Sequence, residues 1–361
     1  MKIDFANLKI QHNLYKDEIE NAILKVARDC NFIMGAQIDE LERDLEKFTA
    51  AKHAISCSSG TDALLLAMMA IDIQPGDEII TTPFTFFATA ETIAFLKAKP
   101  VFVDIDEKTY NIDPSKIEEK ITSKTKAIIP VSLYGQPADM DEINQIAKKH
   151  NLKVIVDGAQ SFGATYKGIS DSALGDISCT SFFPAKPLGC YGDGGAVFTN
   201  DDKLADKIKS LRLHGQSIRY HHQYIGMGGR LDTMQAAVLN VKLKYYEKDL
   251  KLRQDVASKY TQALNAKNIE TPFVKDDRTS AWAQYSIRVQ NRDEVQTKLQ
   301  NLGIPTAVHY PMPLHVQECF KYLNLKEGDF PISEKVSKEI MSLPMNPYVT
   351  DEEIEYIVGN L

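Results

Sequence analysis

The sequence alternates short runs of apolar, β-branched residues with longer stretches that carry apolar residues at helical spacing. Val154-Ile155-Val156 is apolar at every position, as is typical of a parallel strand that is buried on both faces. Such alternation predicts an α/β fold with a mostly parallel sheet and helices on both of its faces. The expected strands are 54–57, 78–81, 101–103, 127–131, 154–156, 179–182 and 196–199, and the expected helices before and among them are 16–28, 38–48, 61–71, 87–96 and 140–150.

The pattern changes after Gly228-Gly229, where strands and helices no longer alternate at short intervals. One long charged helix is expected over 233–265, because no strand-like run interrupts it. We therefore predict a large α/β domain with an N-terminal helical segment over 1–245 and a smaller C-terminal α+β domain over 246–361. The elements expected in the smaller domain are strands over 283–289 and 306–310 and helices over 292–302 and 333–341.

Composition excludes several classes of protein. The 42 Lys and Arg against 49 Asp and Glu give a formal net charge of −7, whereas a nucleic-acid partner favours a basic surface. The five cysteines are scattered without CxxC pairing, so we expect small buried residues rather than disulfides or a metal site. No run of about 18 uncharged apolar residues occurs, and the first ten residues lack the apolar segment of a signal peptide. We expect a cytoplasmic protein without a membrane or nucleic-acid partner.

The segment Ser58-Ser59-Gly60-Thr61 lies where an expected strand meets an expected helix. Small residues allow a ligand to approach the backbone closely, and the free N–H groups of a helix N-terminus bind anions. The same residues also suit a plain helix cap, with Ser59 or Thr61 as the capping side chain. The segment therefore predicts either a phosphate site or a cap.

Asp157 follows the apolar strand 154–156 directly. A carboxylate at the C-terminal end of a parallel strand points into the crevice where open α/β sheets bind ligands. This aspartate could bind a ribose hydroxyl, a metal or a protonated ring nitrogen, or it could cap a helix. The sequence does not choose among these roles.

Lys186 stands between Pro184 and Pro187 in a mostly apolar stretch, an unusual setting for a solvated lysine. Burial lowers the pKa of an amine, and Schiff-base chemistry requires the neutral form. A surface role becomes less favoured when Asp157 and the Ser181 hydroxyl are considered together with this lysine. A further segment, Phe84-Thr85-Phe86-Phe87, would supply either core packing or a ring that covers a planar cofactor.

These segments together resemble the fold-type I pyridoxal-phosphate (PLP) enzymes. More narrowly, the chain is similar to the sugar-nucleotide aminotransferases of the DegT/DnrJ/EryC1/StrS family, from Phe5-Ala6-Asn7-Leu8 almost to the C-terminus. The resemblance implies an aspartate-aminotransferase-like fold with a large mixed-sheet domain and a smaller C-terminal domain. The segments that carry it are 85–90, 181–189, 192–196 and 230–237.

The resemblance also implies roles for individual residues. Lys186 would form the Schiff base with PLP and move the proton during transamination, and Asp157 would pair with the pyridinium nitrogen. The other implied cofactor contacts are Gln160 to the phenolic oxygen, Gly60, Thr61 and Ser181 to the phosphate, and Phe86 to the ring face.

The family's active site lies between two subunits, so the resemblance implies a homodimer. The family usually has Asn two residues before the Arg, where it reaches the phosphate in the neighbouring subunit, but this chain has Gly228 there. One phosphate contact across the interface is therefore expected to be missing or replaced.

Among subgroups, the segments 191–195, 214–216, 219–222 and 306–311 resemble UDP-2-acetamido-2-deoxy-3-oxo-glucuronate aminotransferases of surface-polysaccharide synthesis. The implied substrate-side residues are His309, Tyr310 and Arg230, with the Arg from the partner subunit. A UDP-linked 3-keto N-acetyl sugar is the expected acceptor and L-glutamate the expected donor. The alternatives are amination of UDP-3-keto-N-acetylglucosamine for lipid A, amination at C4, and a PLP-binding regulatory or scaffold protein. Sugar dehydration is disfavoured because dehydratases resembling this family carry His in place of the Lys.

Overall fold

The computed structural model describes residues 3–361. Within this part of the chain the strands are β1 (His53–Cys57), β2 (Glu78–Thr81), β3 (Lys99–Phe102), β4 (Thr125–Ile128), β5 (Lys153–Asp157), β6 (Thr165–Tyr166), β7 (Ile169–Ser170), β8 (Ile177–Ser181), β9 (Gly195–Thr199), β10 (Gln216–Ile218), β11 (His221–His222), β12 (Tyr285–Arg288) and β13 (Ile340–Leu343). The α-helices are α1 (Leu8–Leu14), α2 (Lys16–Asp29), α3 (Ala36–Thr49), α4 (Gly60–Ala70), α5 (Ala88–Phe95), α6 (Met140–His150), α7 (Asp202–Arg212), α8 (Thr233–Leu243), α9 (Tyr246–Asn265), α10 (Arg292–Asn301), α11 (Pro331–Glu339) and α12 (Asp351–Gly359).

A seven-stranded sheet in the order β1-β9-β8-β5-β4-β2-β3 forms the centre of the molecule. Six of its strands run parallel to one another, and β9 runs antiparallel to both of its neighbours, β1 and β8. The expected α/β fold with a large mixed sheet is confirmed.

Successive side chains of the central strand β5 enter different cores. Ile155 packs on one face of the sheet with residues of α4 and α7, whereas Val154 packs on the other face with residues of α6. Because side chains alternate across a strand, burial of both faces requires an apolar residue at every position. This explains the uninterrupted apolar run at 154–156.

The parallel strands bring the candidate functional segments to one edge of the sheet. The strands β1, β2, β5 and β8 end there at Cys57, Thr81, Asp157 and Ser181. The loops that follow these strands begin at the same edge, which is where ligands bind in open α/β sheets.

A separate apolar core lies in the C-terminal part of the chain. It joins α9, α12 and the antiparallel pair β12–β13 through residues that include Tyr260, Tyr285 and Ile357. The division into domains 1–245 and 246–361 stays a prediction, and its first two residues lie outside the described residues.

The single helix expected over 233–265 is wrong, because α8 ends at Leu243 and α9 begins at Tyr246. The N–H of Tyr245 donates to the carbonyl of Lys242, three residues back instead of four, at 3.1 Å. The Tyr245 ring stacks on Tyr15 of the loop before α2, with 4.0 Å between ring centroids. Helix α8 then packs on α2 and α3, whereas α9 packs on α12. Helical periodicity contains no information about this change of packing partners.

Other expected elements also differ from the structure. The strand over 306–310 is wrong, because Ala307 makes only an isolated bridge to Ser342. The helix over 333–341 ends at Glu339, and Met341 lies in β13. The strand over 127–131 ends at Ile128.

The expectation of five buried cysteines is wrong for Cys30 and Cys319, which are exposed, whereas Cys57, Cys179 and Cys190 are buried. Among residues 3–361, no group of three or more His, Cys, Asp or Glu side chains is placed to hold a metal ion. None of the helices in the same range combines the length and apolar character needed to cross a membrane.

Candidate active site

A cavity of about 490 Å³ opens at the edge of the sheet where the parallel strands end. This volume is typical of small-molecule sites. The sequence-predicted site residues that line it are Gly60, Thr61, Phe86, Asp157, Gln160, Ser181, Lys186, His309 and Tyr310. The structure therefore brings together nine of the ten residues singled out from the sequence, although their individual roles stay predictions.

The N-terminus of α4 forms one wall of the cavity. Ser59 is its N-cap, and the Ser59 hydroxyl accepts a hydrogen bond from the N–H of Asp62 at 3.0 Å. The cap satisfies the N–H of Asp62. The N–H groups of Gly60 and Thr61, which precede it, have no acceptor within the helix, because the first intrahelical hydrogen bonds form farther along the chain. The segment is thus a helix cap that also presents backbone donors to the cavity, and the two alternatives are compatible.

Two glycines let three chain segments meet beside this helix end. A Cβ on Gly60 would lie 2.7 Å from Cβ of Ser181, and a Cβ on Gly195 would lie 2.5 Å from the carbonyl oxygen of Ser59. Gly195 of β9 pairs with Cys57 of β1 and with Ser181 of β8. The absence of side chains here allows the backbone of Ser59 and Gly60 to lie directly against the end of β8.

Asp157 lies at the base of the cavity, and its side chain is buried. One carboxylate oxygen accepts a hydrogen bond from the Thr89 hydroxyl at 2.7 Å, and the other accepts from the N–H of Ala159 at 3.2 Å. Burial raises the pKa of the Asp157 carboxyl, while these hydrogen bonds and the charge of Lys186 oppose the rise. A cationic group brought to this carboxylate would further stabilise its charged form.

Lys186 lies across the cavity on the loop between β8 and β9. Its backbone N–H donates to the carbonyl of Phe183 at 2.8 Å, which forms the turn that carries the side chain. Burial lowers the pKa of the Lys186 amine to about 8, and the negative charge of Asp157 opposes the change. The amine is therefore partly neutral near neutral pH.

The lowered pKa predicts an unusual reactivity of this lysine. Acetylation of the cofactor-free full chain should modify Lys186 with a midpoint near pH 8, well below the value of about 10.4 for an ordinary lysine. The rate should rise with pH through this midpoint, because only the neutral amine is a nucleophile. Peptide mass spectrometry of samples treated at a series of pH values measures the extent of acetylation at Lys186, with the exposed Lys251 as an internal reference. Equal pH profiles at both positions would contradict the prediction.

Gln160 is buried, and both ends of its amide are held by the protein. Its Oε1 accepts from the N–H of Tyr134 at 2.8 Å, and its Nε2 donates to the Tyr310 hydroxyl at 3.1 Å. An amide nitrogen carries two hydrogens, so Nε2 retains a second donor for a ligand.

His309 precedes Tyr310 on the C-terminal side of the cavity. Its Nδ1 lies 2.8 Å from the Ser342 hydroxyl, and its backbone carbonyl accepts a hydrogen bond from the Tyr134 hydroxyl. Burial and the nearby charge of Lys186 lower the pKa of His309 to about 4, so the imidazole is neutral at pH 7. A neutral imidazole offers both a donor and an acceptor.

Phe86 lines the opposite wall, and 54% of its surface is exposed. Its ring centroid lies 6.0 Å from that of Tyr310, with the planes inclined by 43°. An aromatic ring left this exposed in a cavity presents a face on which a planar ligand can stack.

Arg230 is the predicted site residue that does not line this cavity. It is half-buried and follows Gly229, whose carbonyl accepts a hydrogen bond from the N–H of Ser58 at 3.0 Å. Gly228, where the family usually has Asn, is exposed. The sequence argument placed Arg230 in the site of a partner subunit, and that placement stays a prediction.

Sequence reasoning missed three lining or supporting residues. Thr89 holds the carboxylate of Asp157 through its hydroxyl, and nothing in the local sequence distinguishes this threonine from others. Asp193 and Gln284 line the cavity, and within residues 3–361 the Oε1 atom of Gln284 is buried without a hydrogen-bond partner. Nothing in the local sequence distinguishes Gln284, because the fold brings it there from the C-terminal part of the chain.

The chain matches the model of the DegT/DnrJ/EryC1/StrS aminotransferase family over residues 13–361. It is 51% identical over 359 residues to the UDP-2-acetamido-2-deoxy-3-oxo-D-glucuronate aminotransferase of Pseudomonas aeruginosa, covering 99% of each chain. It is 47% identical to the "Pleiotropic regulatory protein" of Geobacillus stearothermophilus, covering 100% of this chain and 98% of the relative. It is 40% identical to the UDP-N-acetyl-3-dehydro-alpha-D-glucosamine 3-aminotransferase of Acidithiobacillus ferrooxidans, covering 98% and 96%.

Solved structures of aminotransferases are similar to this chain over nearly its whole length. The structure of DesV from S. venezuelae superposes with a TM-score of 0.97 at 34% identity, covering 99% of this chain and 97% of that one. The PLP form of the putative sugar aminotransferase Spr1654 from Streptococcus pneumoniae superposes with a TM-score of 0.90 at 26% identity, covering 95% and 94%.

Proposed function

The chain belongs to the DegT/DnrJ/EryC1/StrS aminotransferase family, and from this premise we propose that it aminates C3 of a UDP-linked 3-keto N-acetyl sugar. It is a PLP-dependent sugar aminotransferase. The proposed acceptor is of the 3-oxo-glucuronate type, the proposed donor is L-glutamate, and the product would serve surface-polysaccharide synthesis. The single observation that carries the proposal is the convergence of Lys186, Asp157 and the N-terminus of α4 on one cavity.

The residues of the cavity fit the phosphate of PLP. The N–H groups of Gly60 and Thr61 stand at a helix N-terminus, where the backbone dipoles favour an anion. Gly60 and Gly195 let the helix N-terminus lie directly against the end of β8, which places these N–H groups beside the Ser181 hydroxyl at the wall of the cavity. We assign the phosphate to this cradle.

The rest of the cavity fits the aromatic ring of the cofactor. Asp157 would hold a protonated ring nitrogen, Nε2 of Gln160 would donate to the phenolic oxygen, and Phe86 would cover the ring face. Lys186 would be the point of covalent attachment. When bound, PLP supplies the aldehyde that carries the amino group and the ring that withdraws electrons from the reacting carbon.

The protein's own contribution to proton transfer comes from Lys186. Because its pKa is lowered to about 8, its Nζ atom is able to accept a proton near neutral pH and to return it. Asp157 would place its negative charge beside the protonated ring nitrogen of the bound cofactor, and the hydrogen bond from the Thr89 hydroxyl fixes the direction of that carboxylate.

The proposed substrate side rests on His309, Tyr310 and Arg230. Neutral His309 and the Tyr310 hydroxyl offer hydrogen bonds to sugar hydroxyls within the cavity. An Arg from a second subunit would suit a carboxylate, either that of a uronate or that of glutamate. The relative from Pseudomonas aeruginosa supports the uronate. The relative from Acidithiobacillus ferrooxidans supports the alternative, UDP-3-keto-N-acetylglucosamine without the carboxylate, and amination at C4 is a further alternative.

The proposed assembly is a homodimer. The segment that includes β10 and β11 exposes the apolar side chains of Ile218, Tyr220 and Ile225, with 93% of Ile225 accessible. Clustered exposed apolar residues are typical of interaction surfaces. A second copy that covers this segment would also bring the neighbouring Arg230 close to another subunit.

The test of the proposed function is turnover of a panel of UDP-keto sugars with L-glutamate, followed by mass spectrometry. We expect the 3-oxo-glucuronate to be converted at least tenfold more efficiently than the 3-keto sugar without the carboxylate. The reverse preference would support the lipid A alternative, and a preference for 4-keto sugars would support amination at C4. Absence of any turnover by PLP-loaded protein would favour the regulatory role suggested by the name of the Geobacillus relative.

Substitution of Gly195 by alanine is expected to weaken PLP binding about tenfold and to destabilise the fold by about 1–3 kcal/mol. The new methyl group would displace the carbonyl of Ser59, which lies 2.5 Å from its position. PLP titration and urea unfolding measure the two effects. Gly359→Ala is the control, because in the described part of the chain no atom lies within 4 Å of its added methyl group. Unchanged PLP affinity in folded Gly195→Ala would contradict the assignment of the cradle.

A further inference from the structure

A buried carboxylate lies behind the cofactor site without lining the cavity. Asp171 begins the short turn before β8, and only 2% of its surface is exposed. One of its oxygens accepts from the Ser132 hydroxyl at 3.0 Å, and the other accepts from the Ser161 hydroxyl. A Cβ on Gly158 would lie 3.1 Å from this second oxygen, so the carboxylate packs against the residue that follows Asp157.

The two serines come from the two loops that build the floor of the cavity. Ser132 follows β4, and its N–H donates to the carbonyl of Asp157 at 3.0 Å. Ser161 follows Gln160, and its N–H donates to the carbonyl of Gly158 at 3.1 Å. Both serines are fully buried. The Asp171 carboxylate therefore joins the loop after β4 to the loop that carries Asp157 and Gln160.

The same two loops are also joined at the cavity itself, where the N–H of Tyr134 donates to Oε1 of Gln160. Tyr134 lies two residues after Ser132, and Gln160 lies one residue before Ser161. A displacement of either serine is therefore transmitted over one or two residues to a side chain that faces the cofactor. Hydrogen bonds to a charged group are stronger than neutral ones, so a carboxylate holds these loops more firmly than a neutral group would.

The charge of Asp171 is not cancelled by a direct ion pair in the described residues. Burial and the negative charge of Asp157 raise the pKa of Asp171 to about 6. The hydrogen bonds from the two serine hydroxyls and the positive charge of Arg278 act in the opposite direction. The fold thus keeps a buried carboxylate beside a second one, an arrangement with an electrostatic cost. Packing alone does not require such an arrangement.

We propose that Asp171 is a positioning residue for the cofactor, which holds Ser132 and Ser161 together and thereby orients Asp157 and Gln160 toward the PLP ring. The inference rests on the proposed function through the cofactor alone, and it is independent of the sugar and of the amino donor.

The test is the dissociation constant of PLP for the cofactor-free full-length chain, measured by absorbance titration. Asp171→Ala should weaken PLP binding at least fivefold, and about tenfold is expected for the loss of charged hydrogen bonds. Asp171→Asn should recover part of the affinity, because an amide of the same shape accepts from one serine and donates to the other but lacks the charge that strengthens these hydrogen bonds. The matched control is Asp104→Ala, which removes another buried carboxylate that accepts from a serine hydroxyl but does not line the cavity.

A change of less than fivefold in Asp171→Ala overturns the proposal. An equal loss of PLP affinity in Asp104→Ala also overturns the proposal, because it would indicate a general effect of instability. An equal loss of PLP affinity in Asp171→Asn overturns it as well, because it would indicate that the charge of Asp171 matters rather than its position. If Asp171→Ala yields no folded protein, Ser132→Ala and Ser161→Ala replace it, and each must weaken PLP binding at least threefold. Failure of the unmodified chain to bind PLP would refute the proposed function itself.

Discussion

Replacement of Lys186 by alanine is expected to reduce amino transfer to a keto sugar by about 10⁴-fold or more, the upper range for a positioned acid–base group. The variant loses both the point of covalent attachment and the amine that moves the proton. Mass spectrometry of the sugar product measures the rate. Borohydride reduction of the unmodified protein should fix the cofactor on the peptide that spans position 186.

The matched control for this variant is Lys242→Met. Burial lowers the pKa of Lys242 to about 8, the same value as for Lys186, but its Nζ atom donates to the carbonyl of Gly189 at 2.6 Å and lies outside the cavity. We expect Lys242→Met to lose less than tenfold in rate and to keep the cofactor on position 186. Retained activity in Lys186→Ala, or a reduced cofactor found on another lysine, would refute the assignment of the site.

Replacement of Asp157 by asparagine should lower kcat/KM by about 10²- to 10³-fold, as for the loss of one partner of a buried, hydrogen-bonded charge pair. Asparagine retains the size of the side chain and the contact with the Thr89 hydroxyl, but it does not stabilise a protonated ring nitrogen. Steady-state kinetics with the preferred keto sugar measures the effect, and PLP should remain attached to Lys186.

Asp176→Asn tests whether the effect belongs to this position. Asp176 precedes β8 at the opposite edge of the sheet, where its carboxylate accepts from the N–H of Val154 and pairs with Lys153. We expect less than a twofold change in kcat/KM for this variant. Comparable losses in both variants would mean that Asp157 acts through the stability of the sheet and not through the cofactor.

The strands of the large sheet were predictable because burial on both faces leaves an apolar run that is visible in the sequence. The strand 78–81 was predicted with the bounds of β2, and 154–156 lies within β5. The long helix over 233–265 and the strand over 306–310 were wrong for a different reason. At Tyr245 a change of packing partner interrupts an otherwise continuous helical pattern. In the segment 306–310, Val308 packs against a core and His309 and Tyr310 line the cavity, so the segment forms a loop without a strand partner within the residues that the structure describes.

The candidate site was predictable where function leaves unusual residue types in one segment. A lysine flanked by prolines and an aspartate after an apolar strand attract attention individually, and the motifs around them identified the family correctly. Thr89, Gln284 and Asp171 carry no such local signal. Threonine, glutamine and aspartate are common on helices and loops, and only their distances to Asp157 or to the cavity distinguish these three.

The amino-acid sequence alone determines the α/β class, the family and the strand ends that carry the candidate site residues. The reason is that burial and backbone geometry impose constraints that repeat over a few neighbouring residues. Only the tertiary structure decides that residues as distant as Gly60, Asp157 and Tyr310 share one cavity, and that Asp171 supports its floor. Those contacts join residues far apart in the chain, and the free energy that places them comes from packing of the whole molecule rather than from any local pattern.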